Sequence, residues 1–174
     1  MDFNNKFLSE NCGPNIISEF SQFLGHGNNG IKEILQHLNR KSFVQFGCQS
    51  VHLTRLNSKN ELLLESVSGV EISKEFADAQ QLSLDSKLPI VDVIRSGRIL
   101  WINTLPDWGV DYPLLKEFPI DFHGKTFIAI PLFDNDITIG GLSLICKPKL
   151  FEDDCFNDFF AAMAGLLSIA LSRI

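Results

Sequence analysis

The sequence predicts an α+β domain: a central antiparallel sheet with helices packed on its faces, closed by a long terminal helix. Three observations carry this. Strand-length apolar runs fall at 43–56, 61–67, 98–103, 126–132 and 137–146. Short polar turns join the second to the first and the fifth to the fourth, so these neighbours pair as hairpins and run antiparallel. Helical spacing marks 15–24, 31–41, 90–95 and, most clearly, 155–174.

Residues Asn4 to Asn11 are polar and read as a frayed end. Pro14 is placed to open a helix over Asn15–Leu24, with Ile16, Ile17, Phe20, Phe23 and Leu24 on one face. The glycine-rich stretch Gly25–Gly30 breaks it. A second helix, Ile31–Lys41, carries Ile31, Ile34, Leu35 and Leu38 at helical spacing. The period then changes: Val51, Leu53 and Arg55 alternate with His52, Thr54 and Leu56, which is strand. Asn57–Asn60 turns the chain, and Glu61–Val67 pairs back. A short helix is predicted around Lys74–Gln80. Pro89 starts another at Ile90–Arg95, ended by Ser96-Gly97, and Arg98–Asn103 follows as a central strand.

Residues 104–125 hold three prolines and two glycines, with Trp108, Tyr112 and His123 among them. They read as a long loop with one helical turn near Leu114–Phe118. A loop of that length in a compact domain is usually functional or disordered, and its aromatic content argues against disorder. Thr126–Leu132 is a strand buried on both faces. Pro131 cannot donate to a ladder, so the strand is expected to end there or to lie at an irregular edge. Asp134-Asn135-Asp136 supplies the turn. In the return strand, Gly140-Gly141 permits a bulge or a close backbone approach. Glu152, Asp153 and Asp154 then place negative charge at the start of the last helix.

That helix carries two apolar stripes. One is Phe156, Phe160, Met163, Leu167, Ala170 and Ile174; the other is Phe159, Ala162, Leu166 and Ile169. A helix covering one sheet needs one apolar face. The excess predicts a homodimer, with Phe156, Phe160, Met163 and Leu167 assigned to the contact.

Composition narrows the function classes. A chain of 174 residues is one domain by default, with a core filled by its 15 Phe. The net charge of −6 leaves no electrostatic footprint for nucleic acid and disfavours anionic membrane surfaces. No run is expected to span a bilayer, and MDFNNKFLSENC has no signal-peptide core, so the expected location is the cytoplasm. Cys12, Cys48, Cys146 and Cys155 are scattered without a CxxC pair, which argues against zinc and against a disulfide scaffold.

His52, beside Thr54, is a possible haem or metal ligand or an ordinary strand histidine. Cys48 reads as a buried, unreactive thiol. Ser66 and Ser68 lack a neighbouring base, and the glycines at 25, 27 and 30 do not follow a strand, as a phosphate loop requires.

Three stretches resemble the GAF family of small-molecule sensor domains. FVQFGCQSVHLTRLNSKNELLLESVSG looks like its first hairpin, and PIVDVIRSGRILWIN like its helix, glycine and central strand. TFIAIPLFDNDITIGGLSLICKPKLFEDDCFNDFFAAMAGLLSIALSRI looks like its last hairpin and closing helix. The resemblance covers residues 29–174 and leaves 1–28 as an N-terminal helical extension. It implies a pocket between the sheet and the elements of 68–125, lined by Trp101, Asp107, Trp108, Tyr112, His123 and Phe127. It further implies a non-enzymatic sensory domain of a bacterial-type signalling or transcription regulator. An unidentified small molecule would act there through the dimerising terminal helix; no cofactor or metal is specified.

Two subsets of the family fit poorly. Cyclic-nucleotide binders carry an Asn-Lys where this chain has Cys146-Lys147, and bilin binders a cysteine in a region where none lies between Cys48 and Cys146. Two other functions remain: a free methionine sulfoxide reductase, whose cysteines belong on the pocket loop although 81–125 holds none, and a ligand-free dimerisation module whose pocket is filled with Phe.

Overall fold

The structure is a computed structural model that describes residues 12–27, 29–59, 61–69, 81–103, 111–117, 124–147 and 154–174. The predicted helix at 74–80 lies outside these residues. Helix α1 is Cys12–Gly25 and α2 is Ile31–His37. A wide π turn at Leu38–Ser42 extends α2, closed by the Phe43 N–H on the Leu38 carbonyl at 2.7 Å. It satisfies the predicted length to Lys41 with a looser coil. A 3-10 turn at Val44–Phe46 leads into β1, Cys48–Leu56. Then come β2 (Leu62–Ser68), β3 (Gln81–Leu82), α3 (Pro89–Ser96) and β4 (Leu100–Asn103). A 3-10 turn at Pro113–Glu117 precedes β5 (Thr126–Asp134), β6 (Ile137–Cys146) and α4 (Asp154–Leu171).

The six strands form one sheet in the order β3-β2-β1-β6-β5-β4, with antiparallel pairing throughout. The β5–β6 hairpin turns on Asn135 and Asp136, with φ of 46° and 67°. Two positive φ values in succession give the turn whose twist suits a hairpin, and short polar residues tolerate them. β5 does not end at Pro131. It runs on to Asp134, because β4 pairs only with Thr126–Ala129 and leaves the far half of β5 with one ladder neighbour. Gly140 answers to close approach: a Cβ there would stand 2.2 Å from the Thr54 carbonyl oxygen of β1.

Strand alternation divides the interior in two. The main core lies between one sheet face and α1, α2 and α4, and includes Val51, Leu53, Ile128, Ile130, Leu142 and Leu144 from the sheet. Ile16 and Phe20 of α1 belong to it, so the N-terminal helix shares this core. The smaller core lies on the other face, under α3 and the turn at 113–117.

The assignment of Phe156, Phe160, Met163 and Leu167 to a dimer contact is corrected here. All four are buried within the protomer, at 1%, 0%, 1% and 0% exposure. Phe43 and Phe46 come down beside the sheet and pack on Phe159 and Phe160, which uses up the seam that the sheet alone would have left bare. Of the second stripe, Ala162 and Ile169 face outward, with Ile169 53% exposed, while Leu166 is part-buried against the core and Phe159 is buried. The expectation that no run could span a bilayer also fails by length and composition, since Asp154–Leu171 qualifies. Its apolarity is accounted for by the core, in which half of that window is buried.

Candidate functional site

The α3 face of the sheet carries an unusual row. On β1, Val51 and Leu53 point to the main core, so Ser50, His52 and Thr54 point the other way. On β6, Leu142 and Leu144 likewise turn Ser143 toward the α3 face, and Ser143 is the ladder partner of His52. All four polar residues are buried: Ser50 0%, His52 7%, Thr54 4% and Ser143 6% exposed. Around them this face is apolar, with Ile90, Val93, Phe127, Ala129 and Ile145 among its residues.

His52 Nε2 and Ser50 Oγ are joined by a hydrogen bond of 3.0 Å. Burial alone lowers the imidazole pKa to about 4. Protonating the buried ring would leave a charge stripped of water, so the neutral form is favoured. At neutral pH the row therefore offers hydroxyls and a neutral imidazole, with donors and acceptors but no formal charge. α3 packs beside it on β5 and β6. Ile90 Cδ1 lies directly over Gly141, where a Cβ would come within 2.3 Å of it. This second glycine lets the helix seat closely on the sheet.

The six residues assigned to a pocket separate. Phe127 lies in the α3-face core, 5% exposed. Tyr112 packs against the same core, and its hydroxyl donates to Asp92 Oδ2 of α3 at 2.8 Å. Burial first, and then the Asp92 carboxylate, push the phenol pKa upward. Trp101 does not belong to this face. It pairs across the ladder with Ile128 and points with it into the main core. There its ring packs on Phe156 and Phe160, and its Nε1–H donates to Asn157 Oδ1 of α4 at 2.8 Å. The apolar run around Trp101 hid which residues point which way; the register with β5 decides it. Asp107, Trp108 and His123 lie outside the described residues. His52 stands in no metal cluster: among the described residues, no group of three or more His, Cys, Asp or Glu could hold an ion.

Ser50, Thr54 and Ser143 escaped the sequence reading. The available signal was the polar phase at 50, 52 and 54 against Val51 and Leu53, repeated by Ser143 between Leu142 and Leu144. Two surface grooves lie elsewhere. One, about 490 Å³, runs between α4 and the far half of β5 past Arg98, Phe133 and Asn157. Another, about 710 Å³, lies between the ends of α1 and α4. Both border α4, on the side of the sheet opposite the polar row.

The fold is that of a GAF domain. The chain superposes on the GAF domain of an Acinetobacter phosphoenolpyruvate-protein phosphotransferase with a TM-score of 0.71 and 15% identity, covering 91% of this chain and 92% of that one. The corresponding domain from Coxiella burnetii gives 0.72 and 15%, covering 92% and 93%. A free methionine-R-sulfoxide reductase from Neisseria meningitidis, in complex with its substrate, gives 0.68 and 13%, covering 92% and 88%. No family model and no curated protein matches the chain. At these identities the likeness establishes the fold.

Proposed function

We propose that the chain is a small-molecule-binding sensory domain whose ligand lies on the α3 face of the sheet, over Ser50, His52, Thr54 and Ser143. The observation that carries this reading is the uncharged polar row buried in an otherwise apolar face. The Ser50 hydroxyl and the His52 ring pair with each other, and a bound molecule would add partners along the row. The ligand class follows from the row: a neutral molecule with donors and acceptors along one edge and an apolar body. Native mass spectrometry of the freshly purified protein tests this. A retained small-molecule mass is expected on the wild type and is expected to be weakened in a folded Ser143→Val variant. A wild type that carries no adduct and gains no thermal stability from any neutral metabolite contradicts it.

Sulfoxide reduction is the weaker reading, because Cys146 and Cys48 pack on the main-core side, away from the polar row. Turnover of free methionine sulfoxide by the reduced protein would overturn this choice. The finer reading is a cytoplasmic signalling or transcription regulator that works as a homodimer through α4. The exposed Ile169, with the part-buried Leu166 beside it, supplies its contact in place of the four buried residues. Light scattering is expected to give a dimer for the wild type and a monomer for Ile169→Asp; a monomeric wild type contradicts the dimer.

A further inference from the structure

Two of the four cysteines face each other where β1 begins and β6 ends. Cys48 is the ladder partner of Cys146. The flanking Lys147 N–H donates to the Gly47 carbonyl at 3.0 Å, while the Cys48 N–H turns away to the Phe43 carbonyl at 3.3 Å. That pattern makes Cys48 and Cys146 a non-hydrogen-bonded pair, the kind whose Cα atoms approach to about 4.5 Å with their side chains closest. A disulfide requires Cα atoms about 4.4–6.8 Å apart, so the backbone already meets the condition. The neighbouring Cys48 thiol is also what most raises the Cys146 thiol pKa. Both pack on the main core, so both point the same way.

The two thiols differ in access. Cys48 is half-buried and its Sγ–H donates to the Ser50 carbonyl at 3.3 Å, whereas Cys146 is fully buried. The Cys48 thiol beside it, and then burial, hold the Cys146 thiol above its ordinary range. Solvent therefore reaches Cys48 first, with Cys146 waiting behind it as the protonated partner.

We infer that Cys48 and Cys146 form a hydroperoxide-oxidisable pair, with Cys48 reacting first and Cys146 resolving it. The Cys48 thiolate attacks the terminal oxygen of a hydroperoxide. The O–O bond breaks, the alcohol or water leaves with a proton, and Cys48 becomes a sulfenic acid. The Cys146 sulfur then attacks the Cys48 sulfur, the S–O bond breaks, and water leaves with the thiol proton. Two thiols and one hydroperoxide give one disulfide, one alcohol (water, from hydrogen peroxide) and one water. Two electrons pass from sulfur to the O–O bond. The new bond staples the start of β1, just after the Phe43 and Phe46 rings, to the end of β6, from which the chain proceeds to α4. It therefore tightens the same junction that anchors the terminal helix.

The test is titration of the reduced full chain with hydrogen peroxide, followed by peptide mapping without reduction. The expected product is a Cys48–Cys146 cross-linked peptide, formed with two thiols lost per peroxide consumed. The thermal midpoint should rise by on the order of 5 °C and return on adding dithiothreitol. Cys155→Ser should keep the cross-link and a folded Cys48→Ser should lose it; if the latter fails to fold, the wild-type map alone decides. Sulfinic acid at Cys48 without a cross-link, oxidation confined to Cys155, or a cross-link that forms only in unfolded protein would each overturn the inference.

Discussion

Phe160→Ala is expected to lower the free energy of unfolding by about 3–5 kcal/mol. Phe160 is fully buried, with ring centroids 5.8 Å from Phe43, 5.5 Å from Phe46, 5.2 Å from Phe159 and 5.7 Å from Trp101. These neighbours come from the chain before β1, from β4 and from α4 itself. Because they are held by separate elements, they cannot all close over the space a truncated side chain leaves. The transfer and cavity terms therefore both apply, and aromatic pairing is lost besides. Phe160→Leu should cost clearly less, since most of the volume stays filled. Urea denaturation of the two variants beside the wild type checks this. A loss under about 1 kcal/mol for the alanine variant would mean that the ring cluster is not what holds α4 on the sheet.

Acid should destabilise the protein through His52. The imidazole of the unfolded chain binds a proton near pH 6.5, whereas burial lowers the folded-state value to about 4. Below pH 6.5 the unfolded state gains a proton that the folded state does not take up. The contribution of His52 is thus fully present above pH 6.5 and is lost as pH falls toward 4. Between pH 7 and pH 4 the loss is about 3 kcal/mol, at 1.36 kcal/mol per pH unit across the window. Carboxylates titrate in the lower part of this range, so the comparison must be with a variant. His52→Asn keeps a hydrogen-bonding side chain and removes the titration. Its urea midpoint should fall less steeply between pH 6.5 and 4.5 than that of the wild type. Parallel curves for the two proteins would show that His52 is not held as a buried neutral imidazole.

The legible part of the fold was the part set by local pattern. Pro89 at the start and Gly97 at the end of α3, with Asn135-Asp136 in the hairpin, announce their conformations by residue type. Gly140-Gly141 announced a close approach, and both glycines make one, to β1 and to Ile90. What did not follow was any property fixed by a distant partner. Trp101 and Phe127 read alike, as pocket wall or as ordinary core, yet β4 turns the first toward α4 and β5 turns the second toward α3. A run of four strand residues, nearly all apolar, carries no phase of its own. The seam of α4 was misassigned for a related reason: the 3-10 turn at Val44–Phe46 brings phenylalanines against it from more than a hundred positions away in the chain. Ser50, Thr54 and Ser143 were passed over because hydroxyls in strands are ordinary one at a time. Only the β1–β6 register gathers them around His52.

We propose that the small molecule binds at the polar row of the α3 face and not in the groove along α4. The most direct measurement is a heteronuclear NMR titration with a neutral metabolite that raises the thermal midpoint. The expected result is movement of the His52 imidazole and Ser143 amide resonances, with Gly165 and Ser168 unmoved. Shifts confined to Gly165, Ser168 and Arg98, with His52 silent, would contradict it and place the binding site beside α4.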